Sequence, residues 1–504
     1  MLRAVKNHGG VFAKNSKNTP VISHIFQKSR GCFLTLLKKE AILRLVKECY
    51  MERTALTFLH RWLHEKGRLP LIIRGARQVG KTWVVRRLAE LENRDLIELN
   101  LELEPELESL FVKNDPKAVL LSIEDILNRK VDPSKALLFI DEIQAKPHVI
   151  AKLRWFAEMM PELPVISAGS LLEFALGTYV MSVPVGRIEY LYLEPLSFEE
   201  FLMAHQKNGF VRLIKNFQWG DELPSIAHQQ LTSLFHEYII VGGMPAAIEK
   251  WIETRSLEEV GRVHRRIVST YREDFTKYGA KVSPELMNKM IHFIPRSLGE
   301  KFVYSHVDKA APLYAVQRAL TALQKARLCH IVHSTAANGV PLAAEINEKF
   351  LKVIFVDVGL CSASLELSLT QIGSTEDLTL VNKGAIAEQV TGQLLRTVFP
   401  LTQNPQLYYW VRLHQEKGAS AEIDYVIAQG TLPVPIEVKA GATGSLKSLH
   451  VFMELKKLSK AVRVCSGIPN ISQIEFKSTA STTVRYELRS IPFYLLGEIH
   501  RLLA

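Results

Sequence analysis

Eight consecutive residues in the first fifth of the chain have the types and spacing needed to hold a row of phosphates. They read GARQVGKT and are Gly75, Ala76, Arg77, Gln78, Val79, Gly80, Lys81 and Thr82. Glycines let the backbone curl so that its N–H groups face phosphate oxygens, and a following helix directs the positive end of its dipole at them. The lysine is expected to reach the β- and γ-phosphates and the threonine to hold Mg²⁺. The pattern predicts a nucleotide site that takes ATP and Mg²⁺.

Two adjacent carboxylates, Asp141 and Glu142, end the apolar run ALLFIDE. Here the first carboxylate is expected to bind Mg²⁺ and the second to orient or activate the attacking water. Taken alone, the stretch from Gly75 to Thr82 has a plain alternative, which is a chance glycine turn before a helix. We favour the nucleotide site because an apolar strand precedes the stretch, a helix follows it, and the carboxylates supply a second motif.

Three further polar residues are candidates for the same site. Ser167 and Ser170, in LPVISAGS, lie at the end of a predicted strand, where a hydroxyl can sense the γ-phosphate. Ordinary turn or helix-cap roles explain both serines equally well. Arg187, in PVGRIEYLYLEP, could supply positive charge to the transition state from its own chain or across a subunit boundary. A solvated surface arginine explains it at least as well.

A second candidate metal centre lies near the C-terminus. The segments AEIDYVIA and PVPIEVKA predict a hairpin in which Asp424 lies beside Glu437, while Lys439 shares the face of Glu437. The two carboxylates would hold Mg²⁺, and the lysine would position a water or stabilise charge on a scissile phosphate. Glu388, in GAIAEQV, would add a ligand. The alternative is a solvated strand face with ordinary cross-strand ion pairs.

The arrangement of elements predicts an α/β protein with further domains behind the first. From Leu69, short apolar runs alternate with helical segments as far as EYLYLEP, which predicts a parallel sheet covered by helices on both faces. Helices and a small hairpin come next, in an order that suggests a winged helix, and a separate α/β unit ends the chain. The predicted divisions are a basic leader at 1–50, a P-loop domain at 51–210, a helical lid or linker at 211–280, a winged-helix-like domain at 281–380 and a small α/β domain at 381–504.

Composition excludes several classes of protein. Of the net charge of +11, most lies in residues 1–50, which hold ten Lys and Arg against two Glu. Such a tail is either a transit peptide or an unstructured leader before a start at Met51, and it is not evidence for DNA binding. The five cysteines include no CxxC pair, which argues against zinc and against a disulfide framework. No apolar run reaches the roughly 18 residues of a membrane span. We expect a cytoplasmic protein that is not integral to a membrane.

The motifs together resemble a known family. They are RGARQVGKT, LLFIDEIQ, SAGS followed by VGRIEYLYLEPLSFEEFL, VGGMPAAIE and IEVKAG. From about Met51 onward the chain resembles the bacterial and archaeal AAA-type ATPases that carry a C-terminal domain of unknown function. The resemblance implies a winged helix followed by a PD-(D/E)XK nuclease-like fold over 381–504, and it strengthens the role of Arg187. Asp274 and Asp357 also match the family pattern and are interpreted as structural.

Two functions are consistent with these patterns. One is a Mg²⁺-dependent ATPase that couples its nucleotide state to a C-terminal nucleic-acid-binding or nuclease-like domain. The other is a regulatory ATP switch whose C-terminal half binds a partner without cleaving it. Arg318, Lys325 and Arg327 favour DNA as the partner if they form a basic surface, but a solvated helix face contains similar residues. A protein partner, and assembly into a homo-oligomer, are equally compatible with the sequence.

Overall fold

The computed structural model describes residues 51–174, 186–278, 282–365, 383–412, 420–441, 444–477 and 483–504. The leader predicted at residues 1–50 lies outside the described residues. Residues Glu52 to Ala504 form one unit, in which helices connect two β-sheets.

The first sheet of the described chain is parallel throughout, with the strand order β2-β3-β4-β1-β5. Its strands are β1 Leu71–Arg74, β2 Asp95–Asn100, β3 Ala136–Asp141, β4 Val165–Gly169 and β5 Glu189–Tyr192. The accompanying helices are α1 Ala55–His64, α2 Lys81–Leu91, α3 Pro116–Leu127 and α4 His148–Met159, with 3-10 helices at Pro105–Phe111 and Ile143–Ala145. Every residue of β3 and β4 is buried, as expected when helices cover both faces of a sheet. The predicted α/β fold with a P-loop-type parallel sheet is confirmed.

Helices dominate the middle of the chain. They are α5 Phe198–Ala204, α6 Asn208–Asn216, α7 Ser225–Val241, α8 Pro245–Thr254, α9 Leu257–Glu273, α10 Pro284–Arg296, α11 Tyr304–Val307 and α12 Leu313–Lys325, with a 3-10 helix at Asp274–Tyr278. In α9 the buried residues Val260, Val263, Ile267 and Tyr271 recur every three or four positions and form one apolar stripe. Within the described residues no single helix is long and apolar enough to cross a membrane. Helices α7 and α8 are long and apolar enough only when they are taken together, and the chain bends by 119° between them.

The second sheet is mixed and has the strand order β12-β13-β11-β10-β9-β8-β6-β7. Its strands are β6 Cys329–Thr335, β7 Ile346–Phe355, β8 Leu407–Arg412, β9 Ala421–Gln429, β10 Leu432–Val438, β11 Lys460–Cys465, β12 Asn470–Lys477 and β13 Thr483–Pro492. The helices of this region are α13 Val358–Ser364, α14 Lys383–Thr397, α15 Lys447–Lys456 and α16 Ile499–Leu503, with 3-10 helices at Leu342–Glu345 and Phe493–Glu498.

The hairpin predicted as the wing of a winged helix is present, but it is not separate from the C-terminal α/β unit. β6 and β7 pair in antiparallel fashion, and β6 also pairs in parallel with β8 across the predicted division at residue 380. The hairpin therefore extends the C-terminal sheet. Its backbone N–H and C=O groups find partners on a strand much later in the chain, which no local pattern could indicate.

A buried carboxylate joins the two sheets. Glu194 follows β5, and its Oε1 accepts hydrogen bonds from Arg327 Nη2 at 2.7 Å and from Arg396 Nη2 at 2.8 Å. Arg53 Nη2 donates to the backbone carbonyl of Glu194 at 2.7 Å. Burial alone would raise the pKa of Glu194, but Arg396 and Arg327 outweigh it and hold that pKa well below its usual range. The carboxylate is therefore ionised and bound by its arginine partners.

We expect Glu194→Gln to destabilise the protein strongly. The amide keeps the shape of the side chain but removes the negative charge that Arg327 and Arg396 share, which costs about 3–5 kcal/mol in comparable sites. Urea unfolding followed by circular dichroism should show a clearly lower midpoint. Glu475→Gln, which breaks an exposed pair with Arg485, serves as the control and should leave the midpoint almost unchanged. Equal midpoints for the two variants would contradict the structural role of Glu194.

Candidate nucleotide site and C-terminal carboxylate cluster

The glycine-rich loop leaves the sheet at the end of β1, which lies between β4 and β5. At Gly75 a Cβ atom would lie 2.5 Å from the backbone oxygen of Leu193, so only glycine fits this close approach. Gly80 is the N-cap of α2 and has φ 95°, a left-handed conformation that disfavours other residues. The loop thus delivers the N-terminus of α2 to the carboxyl edge of the sheet, where backbone N–H groups can face an anion.

Lys81, Thr82 and Asp141 come together at this edge. Lys81 Nζ donates to the carbonyl oxygens of Gly75 at 3.1 Å and of Ala76 at 2.9 Å, so the ammonium is folded back onto its own loop. Burial lowers the pKa of Lys81 to about 8, although Glu142 and Asp141 act in the opposite direction. Thr82 Oγ1 donates to Asp141 Oδ2 at 2.8 Å. The hydroxyl and the carboxylate predicted to hold Mg²⁺ are therefore neighbours, and both offer the oxygen ligands that this ion prefers.

Glu142 lies directly beyond β3 with φ 50°, and its backbone N–H donates to Asp141 Oδ1 at 3.0 Å. Gln144 Nε2 donates to Glu142 Oε2 and holds the side chain in place. The sequence analysis passed over Gln144, although it stands two positions after Glu142. Its amide is a positioning group for the carboxylate that is predicted to act on water.

The two serines occupy different positions on β4. Ser167 lies inside the strand, where it is paired with Ile72 and Ile140, and its hydroxyl is buried without a hydrogen-bond partner among the described residues. Ser170 follows the last residue of the strand and is also buried. Ser170 is therefore the serine at the strand end, next to the loop that follows β1.

None of the described contacts of Arg187 involves the glycine-rich loop. Its side chain is 51% exposed, and its Nε donates to Glu158 Oε1 at 2.8 Å. Glu158 also accepts from Arg154 on the surface of α4. The side chain of Arg187 therefore faces outward, where it is paired with Glu158.

Residues far along the chain hold the glycine-rich loop. Arg77 forms an ion pair with the buried Asp274, and Tyr271 Oη donates to the carbonyl of Arg77 at 3.0 Å. On the other side Arg53 Nη1 donates to the carbonyl of Val79 at 2.8 Å. Asp274, interpreted from the sequence as structural, is thus a direct partner of a residue of the loop.

The structure also brings the C-terminal candidates together. The register of β9 and β10 pairs Tyr425 with Ile436, so Asp424 and Glu437 are opposite one another, and Asp424 Oδ2 accepts from the N–H of Val438 at 2.7 Å. Lys439 Nζ donates to Glu437 Oε1 at 2.6 Å. Asp424, Glu437 and Lys439 therefore lie on one face, as the sequence predicted.

Lys352 is a member of this cluster that the sequence analysis missed. It lies on β7, and its buried Nζ contacts Glu388 Oε2 at 3.0 Å and Glu422 Oε1 at 2.5 Å. Glu422 is likewise new to the set, on β9 two positions before Asp424. The only signal in the sequence was a lysine within the apolar strand FLKVIFV, since such a charge needs a partner.

Burial changes the protonation of the cluster. It raises the pKa of Glu388 and of Asp424, and the pKa of Glu437 rises for the same reason and because Asp424 lies nearby. Burial would lower the pKa of Lys352, but Glu388 and Glu422 outweigh it and raise that pKa. Carboxyl groups with raised pKa values that lie close together occur both at functional sites and in structural ion-pair networks.

Arg327 does not belong to a basic surface, contrary to the expectation that grouped it with Arg318 and Lys325. It is buried and bound to Glu194, because the chain turns out of α12 and carries it inward. Arg318 and Lys325 are exposed. Asp357 is fully buried, and its Oδ2 accepts from the N–H of Gly243 at 2.6 Å, in agreement with its structural interpretation.

Comparison with known families agrees with this architecture. Residues 67–202 match a family model described as "AAA domain", residues 232–371 match "Domain of unknown function (DUF8612)" and residues 383–480 match "Domain of unknown function (DUF4143)". With the P-loop sheet, the first match places the nucleotide-binding part of the chain among AAA-type P-loop domains. The chain thus joins an AAA domain to a C-terminal DUF4143 domain, as its resemblance to the AAA-type family implied.

Matches to individual proteins are weaker. The chain is 29% identical over 111 residues to valine–tRNA ligase of Methanopyrus kandleri, a match that spans 22% of this chain and 11% of that relative. A variant of RuvB from Thermotoga maritima is 13% identical, and the alignment covers 55% of this chain and 86% of that one with a TM-score of 0.27. A TM-score this low supports no conclusion about architecture or activity.

We expect Asp274→Asn to weaken ATP binding. The amide cannot neutralise Arg77, so the loop loses a charge-assisted contact, and the Kd for ATP should rise on the order of tenfold. Fluorescent ATP-analogue titration would measure it. Glu102→Gln is the matched control, because Glu102 lies near the same guanidinium at 3.8 Å but is more exposed. An unchanged Kd in Asp274→Asn would show that this pair does not support the loop.

Proposed function

We propose that this protein is a Mg²⁺-dependent ATPase whose nucleotide state is coupled to the C-terminal carboxylate cluster. The contact between Thr82 and Asp141 at the mouth of the glycine-rich loop, with Glu142 next to it, is the observation that carries the proposal. Phosphate-binding backbone, metal-binding oxygens and a carboxylate for water share one edge of the sheet. This combination is the one that phosphoryl transfer requires.

The residues of the chain have separate tasks in hydrolysis. Lys81 exchanges its two loop carbonyls for oxygens of the β- and γ-phosphates, which places its charge where negative charge develops. Thr82 and Asp141 would hold Mg²⁺, which would neutralise charge on the phosphate oxygens. Glu142, oriented by Gln144, holds the attacking water and accepts its proton. In this proposal Ser170 contacts the γ-phosphate, and Arg187 serves a neighbouring copy.

A chain of contacts supports coupling between the two ends of the molecule. Arg53 donates both to the carbonyl of Val79 in the loop and to the carbonyl of Glu194. The carboxylate of Glu194 binds Arg396, which lies on α14, and the same helix carries Glu388 of the cluster. A shift of the loop on nucleotide binding would therefore be transmitted to α14 through well-packed, charged contacts.

Turnover of ATP tests the proposed chemistry. Lys81→Ala should lose ATP binding, whereas Glu142→Gln should bind ATP and turn it over about 100-fold more slowly, as expected for removal of a general base. Phosphate release by the purified chain, with and without single- or double-stranded DNA, is the measurement. Stimulation by DNA would support a nucleic-acid partner.

Two other results would argue against parts of this proposal. ATP binding without turnover in the wild-type chain would favour the regulatory switch, in which the C-terminal half binds a partner. Equal turnover in Glu142→Gln and the wild-type chain would contradict the assignment of Glu142. We propose a cytoplasmic location for either function, and either DNA or a protein as the partner.

For the C-terminal cluster we propose metal-dependent cleavage of nucleic acid. Asp424 and Glu437 offer oxygen ligands, and the buried Oε2 of Glu437 has no hydrogen-bond partner among the described residues. Glu388 supplies a third carboxylate. Lys439 lies at the rim, more exposed than Glu437, where it can meet a phosphate. Such a set fits a hard cation such as Mg²⁺.

We expect Asp424→Asn and Glu437→Gln each to abolish Mg²⁺-dependent cleavage of DNA while ATP binding is kept. Either change removes a charged ligand from the metal site. Gel analysis of labelled single- and double-stranded DNA would measure cleavage, and Glu475→Gln, on an exposed strand of the same sheet, is the control. Cleavage that persists in both site variants would refute this centre, and no cleavage by the wild-type chain would favour a non-cleaving binding module.

A further inference from the structure

Three side chains outside both sites converge where α1 meets the end of α2. His60 Nδ1 contacts Glu92 Oε1, and His64 Nε2 lies 2.9 Å from Glu92 Oε2. The three ligand atoms that these residues can offer all lie within 4.8 Å of one another. The two imidazole rings are 4.9 Å apart between centroids. Two nitrogens and a carboxylate oxygen are thus close enough together for one ion to contact all three.

The two helices bring these three residues together. His60 and His64 are four positions apart on α1, a spacing that puts both on one face of a helix. Glu92 is the C-cap of α2, and its N–H donates to the carbonyl of Leu88 at 3.0 Å. The imidazoles are 60% and 52% exposed and the carboxylate 15%, so an ion can enter from solvent while the carboxylate stays in place.

We propose that His60, His64 and Glu92 bind a divalent transition metal ion of the zinc class. Two histidine nitrogens and one carboxylate oxygen form a ligand set that Zn²⁺ commonly takes, with water in the fourth position. Imidazole also suits Cu²⁺ and Ni²⁺, whereas Mg²⁺ prefers oxygen ligands. The absence of suitable cysteine pairs argued against zinc, but this site needs no cysteine.

The position of the site gives a bound ion a structural consequence. Lys81 begins α2 and Glu92 caps its other end, so the ion would lie roughly 16 Å from the nucleotide loop along the helix. It would fasten α1 to α2. Because Arg53, just before α1, holds the carbonyl of Val79, a fastened α1 would also steady the loop.

Zinc titration of the chelator-treated full chain tests the proposal. Isothermal titration calorimetry would be run with excess Mg²⁺, which occupies the hard-cation sites. The wild-type chain should bind one equivalent of Zn²⁺ that His60→Ala and His64→Ala lose, and Glu92→Gln should weaken this binding because it removes the anionic ligand. His148→Ala is the matched control, because His148 faces a single carboxylate, Glu108, at 3.3 Å; it should keep the equivalent.

A second readout separates metal binding from the histidine–carboxylate contacts alone. Zn²⁺ should raise the melting temperature of the wild-type and His148→Ala chains but not that of His60→Ala, since a ligand that binds the folded state stabilises it. The proposal is overturned if the wild-type chain takes up no zinc, or if the His60→Ala and His64→Ala variants bind the same equivalent with the same affinity. His60 and His64 lie on the surface, so circular dichroism should confirm that the His60→Ala and His64→Ala variants are folded.

Discussion

The buried carboxylate of Glu194 is the constraint on which the arrangement of the two sheets depends. It lies at the end of β5 and binds Arg327 and Arg396 from the part of the chain that builds the second sheet. Charges removed from water are tolerated only when they are paired, so neither sheet can shift without breaking these contacts. Arg53 adds the loop to the same network through the carbonyls of Val79 and Glu194.

The glycine-rich loop is therefore held by more than its own sequence. Arg53 holds the carbonyl of Val79, while Asp274 and Tyr271 hold Arg77 from the end of α9. A loop clamped from two sides is preorganised for phosphate, which lowers the entropic cost of binding. These contacts connect the loop to helix α9, which is distant from it in sequence.

The carboxylate cluster balances charge in a different way. Glu388, Glu422 and Asp424 are set against the buried Lys352, and Lys439 pairs with Glu437 at the edge. Lys352 lies in the hairpin β6–β7, whereas the carboxylates lie after residue 380. The cluster therefore contains residues from both sides of the domain division that the sequence predicted. The hairpin is thus part of this cluster, and the ammonium of Lys352 compensates part of its negative charge.

The sequence by itself determined the P-loop fold, the residues of the loop and the two carboxylates at the end of β3, because these lie in consecutive segments whose spacing fixes strand, turn and helix. It also placed Asp424, Glu437 and Lys439 on one face, since neighbouring strands of a hairpin have a local register. Only the tertiary structure joined Arg77 to Asp274, 197 positions apart, Arg53 to Glu194, 141 apart, and Lys352 to Glu388, 36 apart. A charged residue in a sequence indicates that a partner is needed, but which partner it meets depends on how the whole chain packs.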